Sequence, residues 1–265
     1  MAASKIKLNL NNILLPDLID KMDDVSDIED VIKLKITEEY ILMYSILSND
    51  GGAVLALKSY ILPTNEYITK FESENTFDFI ITDAKKVVKS LKFFTPLNPT
   101  TLELTYSKVS GSEDVMHVRA SQFNNGKLKI PCIGGDMDKI RDLNKSTLES
   151  YLDPKKSKWG FSILKSDFAD VKKLCSIHSQ DKTVTVTNTN GKVSISQLSK
   201  WDMDIDEIEH KNATLTFNRQ YLGNINTEIN DDRIRFSVFD TFMLVKDDIS
   251  NLMLSFEQTF ADQDE

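Results

Sequence analysis

The segment FDFIITDAKKVVKSLKFF, residues 77–94, joins a predicted strand directly to a predicted helix. Its first six residues are short, apolar and rich in β-branched and aromatic side chains, as strands are. From Asp83, a good N-cap residue, apolar side chains recur three and four positions apart opposite four lysines, which indicates an amphipathic helix. A second segment, ATLTFNRQYLGNIN (213–226), repeats this order with Asn218 at the cap position. The recurrence predicts two copies of one structural unit.

The elements around these two segments recur in the same order. In the first half, a strand and a helix at 15–25 are followed by strands, the segment 77–94 and three more strands. The second half, from Trp159, runs through a strand, a helix at 166–179, further strands, the segment 213–226 and three last strands. Most strands show period-two alternation and the helices are few and short, so we predict an α+β fold with antiparallel sheets and two helices per copy.

A charged stretch separates the two copies. Residues 134–158 open with Gly-Gly and contain Pro154, which is typical of an exposed connector, and a short helix is predicted within 146–152. We therefore predict an N-terminal domain over 1–135, a connector over 136–158 and a C-terminal domain over 159–265.

Local motifs add two hairpins and an edge strand. Asn-Gly at 190–191 and at 125–126 predicts tight turns between paired strands. WDMDIDEIE (201–209) spaces three aspartates by two, as a calcium loop does, but Glu207 stands where such a loop needs glycine. An edge strand with one acidic face is the better interpretation.

Composition limits the function classes. The chain has 265 residues, 40% of them hydrophobic, and a formal net charge of -9, which argues against a protein that binds nucleic acid over its whole surface. Its two cysteines are too few for a disulfide framework, so we expect a reducing, cytoplasmic setting without a signal peptide. No apolar run approaches the roughly 20 residues of a membrane span, so no membrane association is expected. The three scattered histidines fit no zinc pattern and no enzyme motif occurs, so we expect no metal, cofactor or catalytic residue.

The repeated order of elements, the charged connector and the final strand hairpin resemble the DNA polymerase sliding clamps. The resemblance is to the two-domain clamps of bacteriophages and of the proliferating-cell-nuclear-antigen type, and it covers nearly the whole chain. It implies a ring of three copies whose helices line a hole around duplex DNA, held without sequence preference. It also implies a DNA polymerase and a clamp loader as partners, no catalytic residue, and a viral or phage source.

The resemblance assigns candidate residues to two surfaces. The DNA-facing candidates are Lys85, Lys86, Lys89, Lys92, Lys165, Lys172, Lys173 and Arg219. The partner-binding candidates, on and near the connector, are Met137, Ile140, Leu143, Leu148, Tyr151 and Phe260. Taken alone, the lysines also fit a merely solvated helix face, and the apolar connector residues also fit a role in fixing the connector to the sheets.

The first predicted helix departs from the family pattern. Residues 15–30 carry seven acids against Lys21, although the resemblance places this helix beside DNA. Its acids either point away from DNA or create a repulsion that keeps sliding loose, or the other three helices line most of the hole.

Two other functions stay open at this point. One is a non-ring, monomeric processivity factor that binds DNA through one basic face. The other is a viral all-β structural or assembly protein that does not bind DNA.

Overall fold

A computed structural model describes most of the chain. The described residues are 5–11, 13–50, 52–72, 77–93, 102–107, 114–120, 128–134, 142–198, 200–209, 212–225, 231–246 and 250–259.

Eighteen strands run through the described residues. They are β1 (Lys5–Leu10), β2 (Val31–Ile36), β3 (Tyr40–Ser48), β4 (Val54–Pro63), β5 (Ile68–Glu72), β6 (Phe77–Thr82), β7 (Leu102–Ser107), β8 (Asp114–Ala120), β9 (Leu128–Gly134), β10 (Trp159–Leu164), β11 (Thr183–Thr189), β12 (Lys192–Gln197), β13 (Trp201–Glu207), β14 (Ala213–Asn218), β15 (Arg233–Val238), β16 (Phe242–Lys246), β17 (Ser250–Ser255) and β18 (Glu257–Thr259).

Helices are few and short in the same ranges. They are α1 (Leu15–Ser26), α2 (Thr64–Tyr67), α3 (Ala84–Lys92), α4 (Lys145–Tyr151) and α5 (Lys165–Ile177), with 3₁₀ helices at Pro154–Lys156 and Arg219–Asn224. The helix expected over 218–226 is therefore a 3₁₀ turn, in which the Asn218 carboxamide oxygen caps the Gln220 amide at 3.0 Å. The sequence patterns did not predict α2.

The chain forms two compact units. One comprises Met1–Ile46 and Lys58–Leu148, and the other comprises Leu47–Leu57 and Glu149–Glu265. The tip of the β3–β4 hairpin thus groups with the second half of the chain. The predicted boundaries after 135 and 158 stay a prediction.

The first unit is a sheet with a helix pair packed on it. Its strands follow the order β3-β2-β6-β9-β8-β7-β1-β5, and the neighbouring pairs are antiparallel. Helices α1 and α3 contact each other and bury their apolar sides in one core with the strands. Ile19 and Val25 of α1, Val88 of α3 and Phe79 of β6 are all buried there. Burial of each such side chain stabilises the unit by about 1.5–3 kcal/mol.

The second unit repeats this plan with two sets of strands. One set runs β10-β15-β16-β17, and the other is a five-stranded sheet in the order β13-β12-β11-β14-β18. Strands β17 and β18 follow each other in the chain but pair with β16 and β14, respectively. In the first unit, the single strand β9 makes both kinds of pairing, with β8 on one side and β6 on the other. The predicted repeat of element order is confirmed.

Two local predictions in the second unit are also confirmed. Asn190 and Gly191 both have positive φ, 53° and 87°, as the tight turn between β11 and β12 requires. A Cβ on Gly191 would lie 2.8 Å from the Ile208 carbonyl oxygen, so only glycine fits. Strand β13 ends its sheet, with Asp202 and Asp204 exposed. The second predicted turn, at 125–126, lies outside the described residues.

Candidate nucleic-acid interface

Helix α3 has the two faces that the sequence predicts. Its apolar face, Ala84, Val87, Val88 and Leu91, is buried in the core of the first unit. The four lysines, Lys85, Lys86, Lys89 and Lys92, are exposed. The spacing of apolar residues therefore orients the helix, and burial of that face holds the lysines in solvent.

The amino end of α3 is capped by Asp30, in the loop after α1. The Asp30 carboxylate accepts a hydrogen bond from the Lys85 amide (2.7 Å), and its carbonyl accepts one from the Ala84 amide (3.2 Å). Asp83, the predicted cap, has left-handed backbone (φ 53°) and its side chain makes no capping bond. Asp83 thus stands at the predicted N-cap position, but the capping carboxylate comes from Asp30, an acid distant in sequence whose charge also suits the helix dipole.

One set of α1 acids bonds to side chains of the first unit that do not belong to α3. Asp24 accepts hydrogen bonds from the buried Lys58 ammonium (2.6 Å) and from the Tyr60 hydroxyl (2.5 Å). Asp17 accepts hydrogen bonds from Lys21 and from the Tyr67 hydroxyl. Burial, aided by the bond to Asp17, raises the pKa of Tyr67 well above its usual value. These two acids fix α1 to its surroundings and do not contribute a free negative surface.

A second set of α1 acids faces α3. Lys92 Nζ lies 2.6 Å from Asp23 and 3.8 Å from Asp20, and Lys85 Nζ lies 3.1 Å from Asp27. These hydrogen bonds raise the pKa of Lys85 and of Lys92 above the usual lysine value. The acids that seemed to contradict a basic helix therefore form ion pairs with two of its lysines.

Lys86 and Lys89 differ from the other two lysines of α3. Both are exposed, and neither forms an ion pair or side-chain hydrogen bond with the part of the chain that the structure describes. Of the four candidates on this helix, these two present positive charge to solvent without an ion pair to any described carboxylate.

The candidates on α5 are less available. Lys173 is exposed but pairs with Asp170, one turn away, at 2.9 Å. Lys172 is half-buried, with Nζ 3.4 Å from the Ile225 carbonyl oxygen and 5.0 Å from the centre of the Phe168 ring. Lys165, at the start of the helix, is also half-buried. Contact of these residues with DNA stays a prediction.

Arg219 holds the carboxyl end of α5. Its guanidinium donates hydrogen bonds to the carbonyl oxygens of Cys175 (2.8 Å) and Ser179 (3.1 Å). Cys175 lies in the last turn of α5 and Ser179 just after its end, where a cation also suits the dipole. Arg219 thus has a structural role that the sequence did not reveal, and its contact with DNA stays a prediction.

Within the first unit, an ion-pair network joins Asp142, a residue of the predicted connector, to strands β2 and β6. Asp142 lies 2.5 Å from Lys35 Nζ and 3.5 Å from Lys33 Nζ, and Asp78 lies 3.3 Å from Lys33 Nζ. Both lysines are buried on β2. Sequence reasoning missed this network, because the alternation in VIKLKI predicts that the lysines point to solvent.

Of the partner-binding candidates, the described ones fall into two groups. Leu143 and Leu148 are buried, and the Leu143 amide donates a hydrogen bond to the Tyr44 hydroxyl at 2.9 Å. Tyr151 is 62% exposed. As placed, Tyr151 is open to a partner, and the two leucines hold the connector. Met137, Ile140 and Phe260 lie outside the described residues.

Acid is expected to release the connector at Asp142. Partial burial acts to raise the pKa of this carboxyl, but the hydrogen bonds and charges of Lys35 and Lys33 outweigh burial and lower the pKa below 3.8. Stabilisation by a group with a lowered pKa is present above its unfolded value and is lost as pH falls through the folded one. We expect amide exchange at Leu143 to accelerate, beyond its intrinsic pH dependence, below pH 3.8.

The matched control for this titration is Asp142→Asn, which has no titrating carboxyl. Its Leu143 amide is expected to lose protection already at neutral pH and to show no further transition in acid. A wild-type protection factor that stays constant down to pH 2 contradicts the prediction.

Metal-binding clusters and membrane-spanning helices are both absent from the described residues. No group of three or more His, Cys, Asp or Glu side chains is arranged to hold a metal ion within these ranges. No helix in the part of the chain that the structure describes is long and apolar enough to cross a membrane.

Comparison with known proteins identifies the fold. No protein-family model and no curated protein sequence matches the chain. The crystal structure of proliferating cellular nuclear antigen from Entamoeba histolytica is 15% identical, with a TM-score of 0.58 over 97% of this chain and 100% of that chain. The antigen from Thermococcus kodakaraensis is 14% identical, with a TM-score of 0.59 over 95% of this chain and 100% of that chain. The chain therefore has the α+β fold of proliferating cell nuclear antigen, the DNA-clamp fold.

Proposed function

We propose that the protein is a sliding clamp that surrounds duplex DNA and holds a DNA polymerase on it. The observation that carries the proposal is the clamp fold, matched over nearly the whole chain, including both units of the repeat. A clamp is a binding scaffold and makes or breaks no bond itself. It raises the effective concentration of the polymerase at the primer end, because dissociation from the end is followed by rebinding within one complex.

The contact with DNA is proposed to be electrostatic and independent of sequence. Lys86 and Lys89 on α3 are its centre, because they are exposed and lack carboxylate partners within the described residues. Lysine–phosphate contacts release counterions and read no base, so a ring that relies on them can move along the duplex.

We further propose a closed ring of three copies, with the connector side as the docking surface for the polymerase and the loader. Tyr151 is the exposed apolar residue there. A ring predicts a mass in solution of three 30.1-kDa chains. A persistent monomer that still binds DNA supports the non-ring processivity factor instead.

The double variant Lys86→Ala/Lys89→Ala tests the DNA contact. We expect a melting temperature close to that of the wild type and weaker binding to a short duplex with free ends, which can enter a closed ring. Loss of two phosphate contacts is expected to reduce the slope of log K against log salt by about 1.8. The measurement is fluorescence anisotropy at several salt concentrations.

The control is Lys155→Ala/Lys246→Ala, which removes the same charge from two exposed lysines, one in the 3₁₀ turn Pro154–Lys156 and one at the end of β16. It is expected to keep the wild-type slope. Equal slopes for both double variants would show that α3 does not face DNA. Polymerase extension on primed circular DNA, with and without a loader, then tests the tethering role.

A further inference from the structure

The position of the outer α1 acids suggests how tightly the protein holds DNA. This inference rests on the proposed function and concerns the same surface. Asp23 and Asp27 each contact one lysine of α3, at 2.6 Å and 3.1 Å, and Asp20 lies 3.8 Å from Lys92. Asp20 and Asp23 lie on α1 and Asp27 is its C-cap residue, so all three carboxylates lie beside the basic helix, within reach of the groups that phosphates would contact.

The ion pairs are of the kind that a phosphate can replace. Lys85, Lys92, Asp23 and Asp27 are each roughly half exposed. Ion pairs between exposed side chains contribute only about 0–1 kcal/mol, so they open readily. The two lysines therefore have two alternative anionic partners, a carboxylate of α1 or a phosphate of DNA.

The carboxylates also act on Lys89, which lies between Lys85 and Lys92 and forms no ion pair with the described residues. Lys89 lies four residues after Lys85 and three before Lys92, so all three lie along one face of α3 with neighbours about 5–6 Å apart. At physiological salt, charges within about 8 Å still interact. Asp23 and Asp27 thus lower the positive potential along the whole lysine face.

We infer that Asp23 and Asp27 compete with DNA phosphates for the lysines of α3 and so limit the affinity of the protein for duplex DNA. The competition explains an acidic helix beside a basic one without contradiction. A clamp that must move along DNA needs a weak contact, and internal carboxylates weaken it without removing the lysines that keep the duplex centred.

The variant Asp23→Asn/Asp27→Asn tests this competition, with a 30-base-pair duplex as the probe and anisotropy as the readout. Both amides keep the shape of the side chain but lose the charge. Release of two lysines is expected to tighten binding roughly 3- to 30-fold at low salt, given the strength of two exposed pairs. The slope of log K against log salt is expected to steepen by up to about 1.8, one added contact for each lysine.

The matched control is Glu38→Gln/Asp50→Asn, which removes two negative charges from exposed acids without ion pairs in the described residues. It reports the effect of net charge alone, and we expect less than a two-fold change. The single variants Asp23→Asn and Asp27→Asn are expected to fall between the wild type and the double variant. They also keep the test available if the double variant unfolds.

Failure of this inference is distinct from failure of the proposed function. If the wild type binds the duplex and Lys86→Ala/Lys89→Ala weakens it, the DNA contact stands. If Asp23→Asn/Asp27→Asn then matches its control, the competition is overturned. If the wild type shows no salt-dependent binding and the lysine variant no loss, the proposed DNA contact itself is overturned.

Discussion

Asp24→Ala is expected to lower the free energy of unfolding by about 3 kcal/mol, the scale for removing one partner of a buried ion pair. The Asp24 carboxylate lies 2.6 Å from Lys58 Nζ, whose side chain is 1% exposed, and accepts a bond from Tyr60. Its loss leaves a buried ammonium without this counter-charge and a hydroxyl without this acceptor. Urea unfolding followed by circular dichroism measures the effect.

Asp20→Ala on the same helix is the matched control. Its side chain is 74% exposed and 3.8 Å from Lys92, so the expected change is within about 0.5 kcal/mol. Both substitutions exchange aspartate for the better helix former alanine, so that contribution cancels between them. Equal losses in the two variants would mean that Asp24 does not hold α1 to the sheet.

Asp78→Ala is expected to destabilise the first unit by about 2–4 kcal/mol, again as a broken buried pair. Its carboxylate lies 3.3 Å from Lys33 and 3.8 Å from Lys35, and the Lys33 side chain is 0% exposed. Asp142 still faces both lysines in this variant, so the loss falls short of that for an entirely uncompensated charge.

A double-mutant cycle separates charge from packing at this site. Lys33→Met removes the buried ammonium and keeps an apolar chain of similar length. Lys33→Met/Asp78→Ala is therefore expected to be more stable than Asp78→Ala alone, with a coupling energy of about 1–3 kcal/mol. Glu38→Ala, at an exposed acid, is expected to match the wild type. Additive losses in the cycle would show that the two side chains do not interact.

The two networks also connect stability with the proposed function. Asp24 keeps α1 in place beside the lysines of α3. The ion pairs of Lys33 and Lys35 with Asp142 hold that part of the predicted connector in the first unit. If the connector side binds the polymerase, variants of Asp78 and Asp142 are expected to weaken extension in the assay without changing the salt dependence of DNA binding.

The sequence patterns determined which residues of α3 are buried and which reach solvent. Apolar residues at helical spacing must face the core, because burial is the dominant favourable term, and the lysines between them then face solvent. The same argument explains why the repeat was visible although residue identity between the halves is slight, since element order depends on periodicity and caps.

Only the tertiary structure decided what the charged residues contact. Periodicity identifies the exposed side of an isolated element, but it does not say which element comes to lie beside that side. Asp30 supplies the capping carboxylate of α3 that the Asp83 side chain does not, and Arg219 holds the end of α5, through contacts between residues far apart in the chain.

The acidic first helix shows the same division. From the sequence, its seven acids were a charge excess that contradicted a helix near DNA. The fold divides five of them into an inward group, fixed by Lys58, Tyr60 and Tyr67, and an outward group paired with Lys85 and Lys92, while a sixth, Asp30, caps α3. Composition and spacing set the number and period of the charges by themselves. Their partners depend on distances of a few ångströms between separate elements, and only folding sets those distances.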